Sequence, residues 1–304
     1  MTSAQNFLVV LLGPTGVGKT ELSINLSKYL KAPILSADSR QFFKELRIGT
    51  AAPSTEQLSI STHYFVGHKN ITERYSCGMF EMDALETLQN IFKTNRIALL
   101  VGGSMLYIDA VCKGIDDFPT PDPELRQSLE NQLKAEGIES LRAQLKLLDP
   151  EHYQQIDLKN SQRILKAVEV CLQTGKPYSS FLTQPKKNRE FRIIKIGLTL
   201  PRDELYRRIN RRVDNMIEQG LVNEARNLLP FKNHNALKTV GYREVFDYLE
   251  GKISLVQAID MIKRNSRRYA KRQLTWWARD NEIAWFNPND EMGINDHICE
   301  LIAM

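Results

Sequence analysis

Gly13-Pro14-Thr15-Gly16-Val17-Gly18-Lys19-Thr20 is the stretch that decides the fold. The apolar run Phe7 to Leu12 precedes it and the helix-patterned segment Glu21 to Leu30 follows it, so the chain reads strand, glycine loop, helix. The octet fits G-x-x-x-x-G-K-[ST]. In that pattern backbone N–H groups and a helix N-terminus surround a phosphate, the lysine neutralises its charge and the hydroxyl holds Mg²⁺. Without the flanks the same letters describe a glycine turn; with them they describe a phosphate site.

Outward from this loop, Ala32 to Asp38 reads as a second strand with the polar tip Asp38-Ser39-Arg40-Gln41. Arg96 to Val101 reads as a third, running into Gly102-Gly103-Ser104, and further strands are expected over Phe191 to Leu200 and Glu282 to Phe286. Strands alternating with helices predict an α/β fold, a P-loop NTPase-like parallel sheet flanked by helices, with ligands at the strand tips. Pro119, Pro121 and Pro123 mark a lobe boundary. Beyond it only helical patterns occur, over Glu124 to Leu148 and Ser161 to Leu172. The expected organisation is a core in two parts, 1–117 and 189–304, around a small all-helical insertion domain over 118–188.

At 304 residues, with 42% hydrophobic and 25% charged residues, the chain has the composition of a soluble globular protein. A net charge of +5 permits nucleic-acid binding without requiring it. Cys77, Cys112, Cys171 and Cys299 lie far apart with no zinc spacing, which suits reduced thiols. No segment approaches the roughly 20 apolar residues of a membrane span, and the N-terminus lacks the basic start of a leader. A cytoplasmic monomer without membrane contact is expected.

Two later helices are basic. Leu205, Ile209 and Val213 form a core stripe with Arg208 and Arg212 on an adjacent face. Lys263, Arg264, Arg267, Arg268, Lys271 and Arg272 occur without an acidic residue before Asp280. Such unopposed charge points to a polyanion, the alternative being a solvated face.

Lys19, Thr20 and a metal would stabilise negative charge on a phosphate or a diphosphate, which serves either phosphoryl transfer or departure of pyrophosphate from carbon. Asp38 stands where a carboxylate would take a proton from a nucleophile, or else caps a following helix. Ile97 to Val101 ends without an aspartate and no N-K-x-D occurs, which argues against a motor or a switch GTPase. A small-molecule kinase with Asp38 as base, an alkyl transferase and an RNA-binding nucleotide switch remain.

The P-loop octet, Ser36 to Gln41, Ile48 to Pro53, Leu100 to Tyr107, Val240 to Arg243 and Lys271 to Trp276, taken in this order, resemble the tRNA dimethylallyltransferases. The resemblance implies transfer of the dimethylallyl group of dimethylallyl diphosphate to the exocyclic N6 amine of the adenosine 3′ of the anticodon. The tRNAs are those reading codons that begin with U. It further implies that Gly13 to Thr20 hold the diphosphate, with Lys19 and, through Mg²⁺, Thr20 stabilising the leaving pyrophosphate. Asp38 would accept the amine proton, Ser104 would contact the target base where the family usually has threonine, and Arg212, with Arg208, would face the diphosphate. The implied tRNA contacts are Asp38, Ser39, Arg40 and Gln41, then Gln162, Arg163, Ile164, Leu165 and Lys166. Lys238, Thr239, Val240, Gly241, Tyr242 and Arg243 follow, then Lys271, Arg272, Gln273 and Thr275, with Arg126 in the insertion.

Tyr107, Tyr242, Trp276 and Trp277 suit either base stacking or the core. Ala52 and Arg47 replace a lysine and an aspartate common in the family. His63 and His68 lie in a divergent segment and are assigned no role. The chain ends without the zinc finger of eukaryotic members, so the bacterial type is expected.

Overall fold

Six parallel strands form one sheet of order β3-β2-β4-β1-β5-β6 in the computed structural model, which describes residues 5–183 and 187–303. They are β1 Phe7–Leu12, β2 Ile34–Ser36, β3 His63–Tyr64, β4 Ile97–Gly102, β5 Arg192–Leu198 and β6 Ile283–Phe286. Residues 1–4 of the N-terminal segment lie outside the described residues. β1 is buried along its whole length and feeds two cores. Leu8, Val10 and Leu12 pack with Phe42, Phe80 and Trp277 on one face. Phe7, Val9 and Leu11 pack with Leu22, Leu26 and Ile209 on the other. A strand covered on both faces reads as a continuous apolar run, which is why it was legible. β3, only two residues long and paired to β2 through Ile34 and Leu35, is too short to show a period and was not anticipated.

The core helices are α1 Lys19–Leu30, α2 Thr55–Ile60, α3 Cys77–Ile91 and α4 Met105–Lys113, with those of the insertion following. The chain divides into two compact units, one of residues up to Cys112 together with those from Asn188, the other Lys113–Lys187. The second unit is helical: α5 Pro123–Glu136, α6 Ile138–Leu148, α7 Pro150–Gln155 and α8 Ser161–Thr174 enclose Leu129, Leu141, Leu145, Ile164, Leu165 and Val168. The helical pattern expected over Glu124 to Leu148 is met by two helices, which meet at Gly137. Asp122 caps α5 by accepting from Glu124 N and Leu125 N, ahead of a proline in the first turn.

The stem of this unit is closed, the Lys187 N–H donating to the Lys113 carbonyl at 3.0 Å. On the core side Arg189 fastens the end of α4, donating to the carbonyls of Val111 (2.8 Å) and Ala110 (2.7 Å) and to Glu81 of α3 (2.8 Å). The remaining core helices are α9 Arg202–Glu218, α10 Leu221–Leu228, α11 Tyr242–Leu249, α12 Leu255–Trp277 and α13 Glu291–Ala303. Among the described residues no helix is long and apolar enough to cross a membrane.

Candidate active site

Because every strand is parallel, the C-terminal ends of β1, β2 and β4 share one edge of the sheet, and the P-loop, the Asp38 tip and Ser104 stand there. The P-loop leaves β1 and enters α1 at Gly18, whose φ of 112° lets the chain turn into the helix. Lys19 folds back over the loop, its Nζ donating to the carbonyls of Gly13 (2.8 Å) and Pro14 (2.9 Å). Burial, and then the positive charge of Arg212, push the Lys19 amine down to about 7, while Asp38 opposes the shift. α9 packs on the loop through Ile209, which places Arg208 and Arg212, one turn apart, beside it. Arg208 reaches the Val17 carbonyl at 3.4 Å and pairs with Glu204 at 3.0 Å. Arg212 donates to the Thr50 carbonyl at 3.0 Å, and Asp38 lies within its electrostatic reach.

β4 separates β1 from β2, so the P-loop and the Asp38 tip stand about two strand spacings, roughly 10 Å, apart. The floor between them is Gly102-Gly103-Ser104. A Cβ on Gly102 would lie 2.2 Å from the Ala37 carbonyl oxygen, so only glycine allows the two strand tips to close. Asp38 caps no helix. Its Oδ1 accepts from Arg40 N at 3.1 Å and its carbonyl from Gln41 N at 3.0 Å, a turn that fixes the carboxylate at the edge.

The Ser104 hydroxyl accepts from Ser39 N (2.8 Å) and donates to Ser39 Oγ (3.1 Å), tying the β4 tip to the Asp38 turn. Arg40 donates to the carbonyls of Asn235 (2.9 Å) and Ala236 (3.3 Å). Gln41 donates to those of Thr50 and Ala51, both at 3.3 Å. Both side chains thus hold neighbouring loops. Tyr269, which the sequence reading passed over among its charged neighbours, donates to Gly103 O at 3.3 Å, within reach of Asp38 and Ser104. Burial pushes its hydroxyl up to about 12, so it remains a donor at neutral pH.

α12 has two faces. Outward, Arg264, Arg268, Lys271, Arg272 and Thr275 are exposed at spacings of three and four, a cationic stripe. Lys263 and Arg267, read as unopposed, are engaged: Lys263 pairs with Asp214 at 2.6 Å and Arg267 donates to Asn210 Oδ1 at 2.7 Å. Those partners sit on α9, invisible to a reading along α12 alone. Inward, Gln273 is 1% exposed, and this corrects its assignment as an RNA contact. Its Oε1 accepts from Thr15 N at 2.9 Å and its Nε2 donates to Gly103 O at 2.7 Å, so it joins the P-loop to the β4 tip.

Tyr242, also expected at the tRNA, is fully buried against the core with Phe246, and Trp277 is buried too. Exposed Trp276 is pinned by its Nε1 to Asp109 at 2.8 Å. Tyr107 belongs to an aromatic cluster with Phe42 and Phe80. Lys238 and Arg243 are exposed on either side of half-buried Thr239 and Val240 and buried Gly241. His68 packs edge-on against Phe42, Phe65 and Tyr75, and His63 lies in β3 with its Nδ1 at Ser61 O, so the two form no metal pair.

Within the insertion, Arg126 donates to Gln162 Oε1 (3.2 Å) and meets buried Glu169 at 3.4 Å, which also binds Lys166 at 3.1 Å. Arg163 is exposed, whereas Ile164 and Leu165 belong to the insertion core, a correction that follows from the inward face of α8. Arg126, Gln162 and Lys166 therefore form one polar cluster around a carboxylate.

The IPP transferase family model matches residues 41–280. A protein of Bacteroides thetaiotaomicron named tRNA dimethylallyltransferase 1 is 52% identical over 96% of this chain and 94% of its own length. The chain belongs to the tRNA dimethylallyltransferase family. A Parabacteroides distasonis tRNA dimethylallyltransferase 2 is likewise 52% identical, over 98% of this chain and 99% of that one. The full-length tRNA isopentenylpyrophosphate transferase of Bacillus halodurans superposes with TM-score 0.71 at 35% identity, over 98% of this chain and 97% of that one. A eukaryotic dimethylallyltransferase, solved acting on tRNA, shares the fold with TM-score 0.79 at 24% identity, over 94% of this chain and 74% of that one. Membership of this prenyltransferase family displaces the kinase and nucleotide-switch readings of the P-loop.

Proposed function

We propose that the chain transfers the dimethylallyl group of dimethylallyl diphosphate to the N6 amine of the adenosine 3′ of the anticodon, in tRNAs reading codons that begin with U. The observation that carries the reading is the pairing of edges: three cations, Lys19, Arg208 and Arg212, beside the P-loop, and one carboxylate, Asp38, across the bare floor of Gly102-Gly103. In the reaction the C1–O bond of the isoprenoid breaks, an N6–C1 bond forms, pyrophosphate leaves with both bonding electrons, and the amine proton goes to Asp38. An adenine amine has its lone pair delocalised into the ring, so the aligned carboxylate raises its nucleophilicity as the proton departs. The cations stabilise charge that grows on the leaving diphosphate.

Thr20 fits a Mg²⁺ role, since a hydroxyl beside Lys19 is a hard oxygen donor and a diphosphate brings further oxygens. When bound, the ion would add Lewis-acid neutralisation of the diphosphate. The exposed stripe of α12, with Lys238 and Arg243, supplies phosphate contacts for the anticodon stem-loop, whose target base must leave its stack to meet Asp38. A cytoplasmic site of action suits a tRNA substrate.

Asp38→Asn tests the assignment. Incubated with dimethylallyl diphosphate and tRNA, it should lose about 10²–10⁴ in rate, the range for a positioned general base. Pyrophosphate and tRNA affinities should be retained. Mass analysis of the nucleosides reads the product, and wild-type turnover by Asp38→Asn would remove the carboxylate from the mechanism.

A further inference from the structure

The carboxylate of Glu224, on α10, accepts from the backbone N–H groups of Arg47 (3.1 Å), Ile48 (2.8 Å) and Gly49 (3.0 Å) and from the Tyr242 hydroxyl (2.6 Å). Three consecutive peptide N–H groups converging on one anion form a nest. The 47–49 segment is thus folded around Glu224 as such a segment folds around a bound ion. The Tyr242 ring closes the opposite side: a Cβ on Gly49 would lie 2.6 Å from its Cζ, so nothing larger than hydrogen fits. Thr50, the residue that follows this nest, gives its carbonyl to Arg212 Nη2 at 3.0 Å and to Gln41 Nε2 at 3.3 Å.

We infer that Glu224 is a positioning residue for the transfer reaction: through the 47–50 loop it sets where the Arg212 guanidinium stands beside the P-loop. The inference rests on the reading of Arg212 as a ligand of the diphosphate. Glu224 itself meets no reacting group. Its influence passes through the Thr50 carbonyl, and a displaced carbonyl takes the guanidinium with it. The loop lies on neither of the sequence stretches that carry the P-loop or Asp38, so neither motif explains why a carboxylate is needed at residue 224.

The test uses the full chain with Glu224→Gln, which keeps the side-chain volume but sets an NH₂ among N–H donors. Affinity for inorganic pyrophosphate with Mg²⁺ is measured by calorimetry, and KM is measured separately for dimethylallyl diphosphate and for an anticodon stem-loop RNA. The expected result is about tenfold weaker pyrophosphate binding, the scale of one charge-assisted hydrogen bond. KM for dimethylallyl diphosphate should rise in parallel and KM for RNA should stay unchanged. Arg212→Ala should weaken pyrophosphate by a similar factor or more, and the double variant should bind no worse than Arg212→Ala alone, because both act through one guanidinium.

Additive losses in the double variant, or an equal rise of both KM values, would overturn the inference in favour of a general structural role. Normal pyrophosphate binding by Glu224→Gln beside an impaired Arg212→Ala would overturn it while leaving the functional reading intact. Normal binding by Arg212→Ala would sink both. If Glu224→Gln fails to fold, Tyr242→Phe, which removes the 2.6 Å donor but keeps the ring on Gly49, enters the same cycle with the same expected pattern.

Discussion

Diphosphate binding should take up a proton, and Lys19 should be its source of demand. With the amine held at about 7 in the free protein, a tenfold excess of the neutral form exists one pH unit above that value. At pH 8 roughly nine molecules in ten therefore carry an uncharged Lys19. An anion beside the amine favours the ammonium form, so its pKa rises on binding and affinity is greatest below about 7, falling as pH rises through that value. At pH 8 the protonation costs about 1.4 kcal/mol, a tenfold weaker Kd than in acid, and about 0.9 proton is absorbed per diphosphate. Titration calorimetry of pyrophosphate in two buffers of different ionisation enthalpy measures that count. Protons exchanged by the ligand itself are removed by subtracting the same titration with Lys19→Arg, whose guanidinium is charged throughout. Equal proton counts for the two proteins would refute the reasoning.

Replacing Arg268 and Arg272 with alanine should lower the slope of log affinity against log salt for tRNA by about 0.7–0.9 for each phosphate no longer neutralised. Thermal stability should not move, and an unchanged slope by anisotropy titration would make the stripe a solvated face. Gln273→Ala should destabilise the fold by about 1–3 kcal/mol, because the Thr15 N–H and Gly103 carbonyl lose a buried partner. In the same variant pyrophosphate affinity should fall while the salt dependence of RNA binding stays intact; denaturant unfolding and anisotropy report the two effects, and a reduced salt slope would return the residue to the RNA contacts. Gly102→Ala drives a methyl into the Ala37 carbonyl, 2.2 Å away, and should cost about 1–3 kcal/mol of stability. It should also lower turnover at least about tenfold through displacement of the Asp38 tip; wild-type kinetics would show that the floor need not be bare.

What the sequence made legible follows from how local each signal is. Lys19 and Thr20 belong to a contiguous motif, and Asp38 to a strand tip whose apolar run is obvious, so one line of residues suffices to place them. The core stripe of every fourth residue puts Arg208 and Arg212 on one face, which is as far as periodicity goes; a part for Arg212 at the diphosphate comes from the resemblance alone. Lys263 was misjudged because Asp214 approaches from another helix, and charge balance along one segment says nothing of charge across two; Arg267 is held from that same helix by the uncharged Asn210. Gln273 lay inside a run of exposed cations, and only the helix phase separates its buried face from theirs. Glu224 carries no motif at all; the N–H groups it gathers belong to a loop far earlier in the chain. β3 escaped because two residues have no period, and the break at Gly137 because charged residues run on through it.

The closed stem at Lys113 and Lys187 has a consequence for how such a molecule varies. When the exit and return of an insertion are already bonded to one another, and Arg189 fastens the last turn of α4 beside them, closure is settled at the neck. Whatever hangs beyond that neck adds only a slowly growing entropic penalty as it lengthens. The helical lobe hangs from its own bonded neck, so a longer or shorter lobe should cost little in closure.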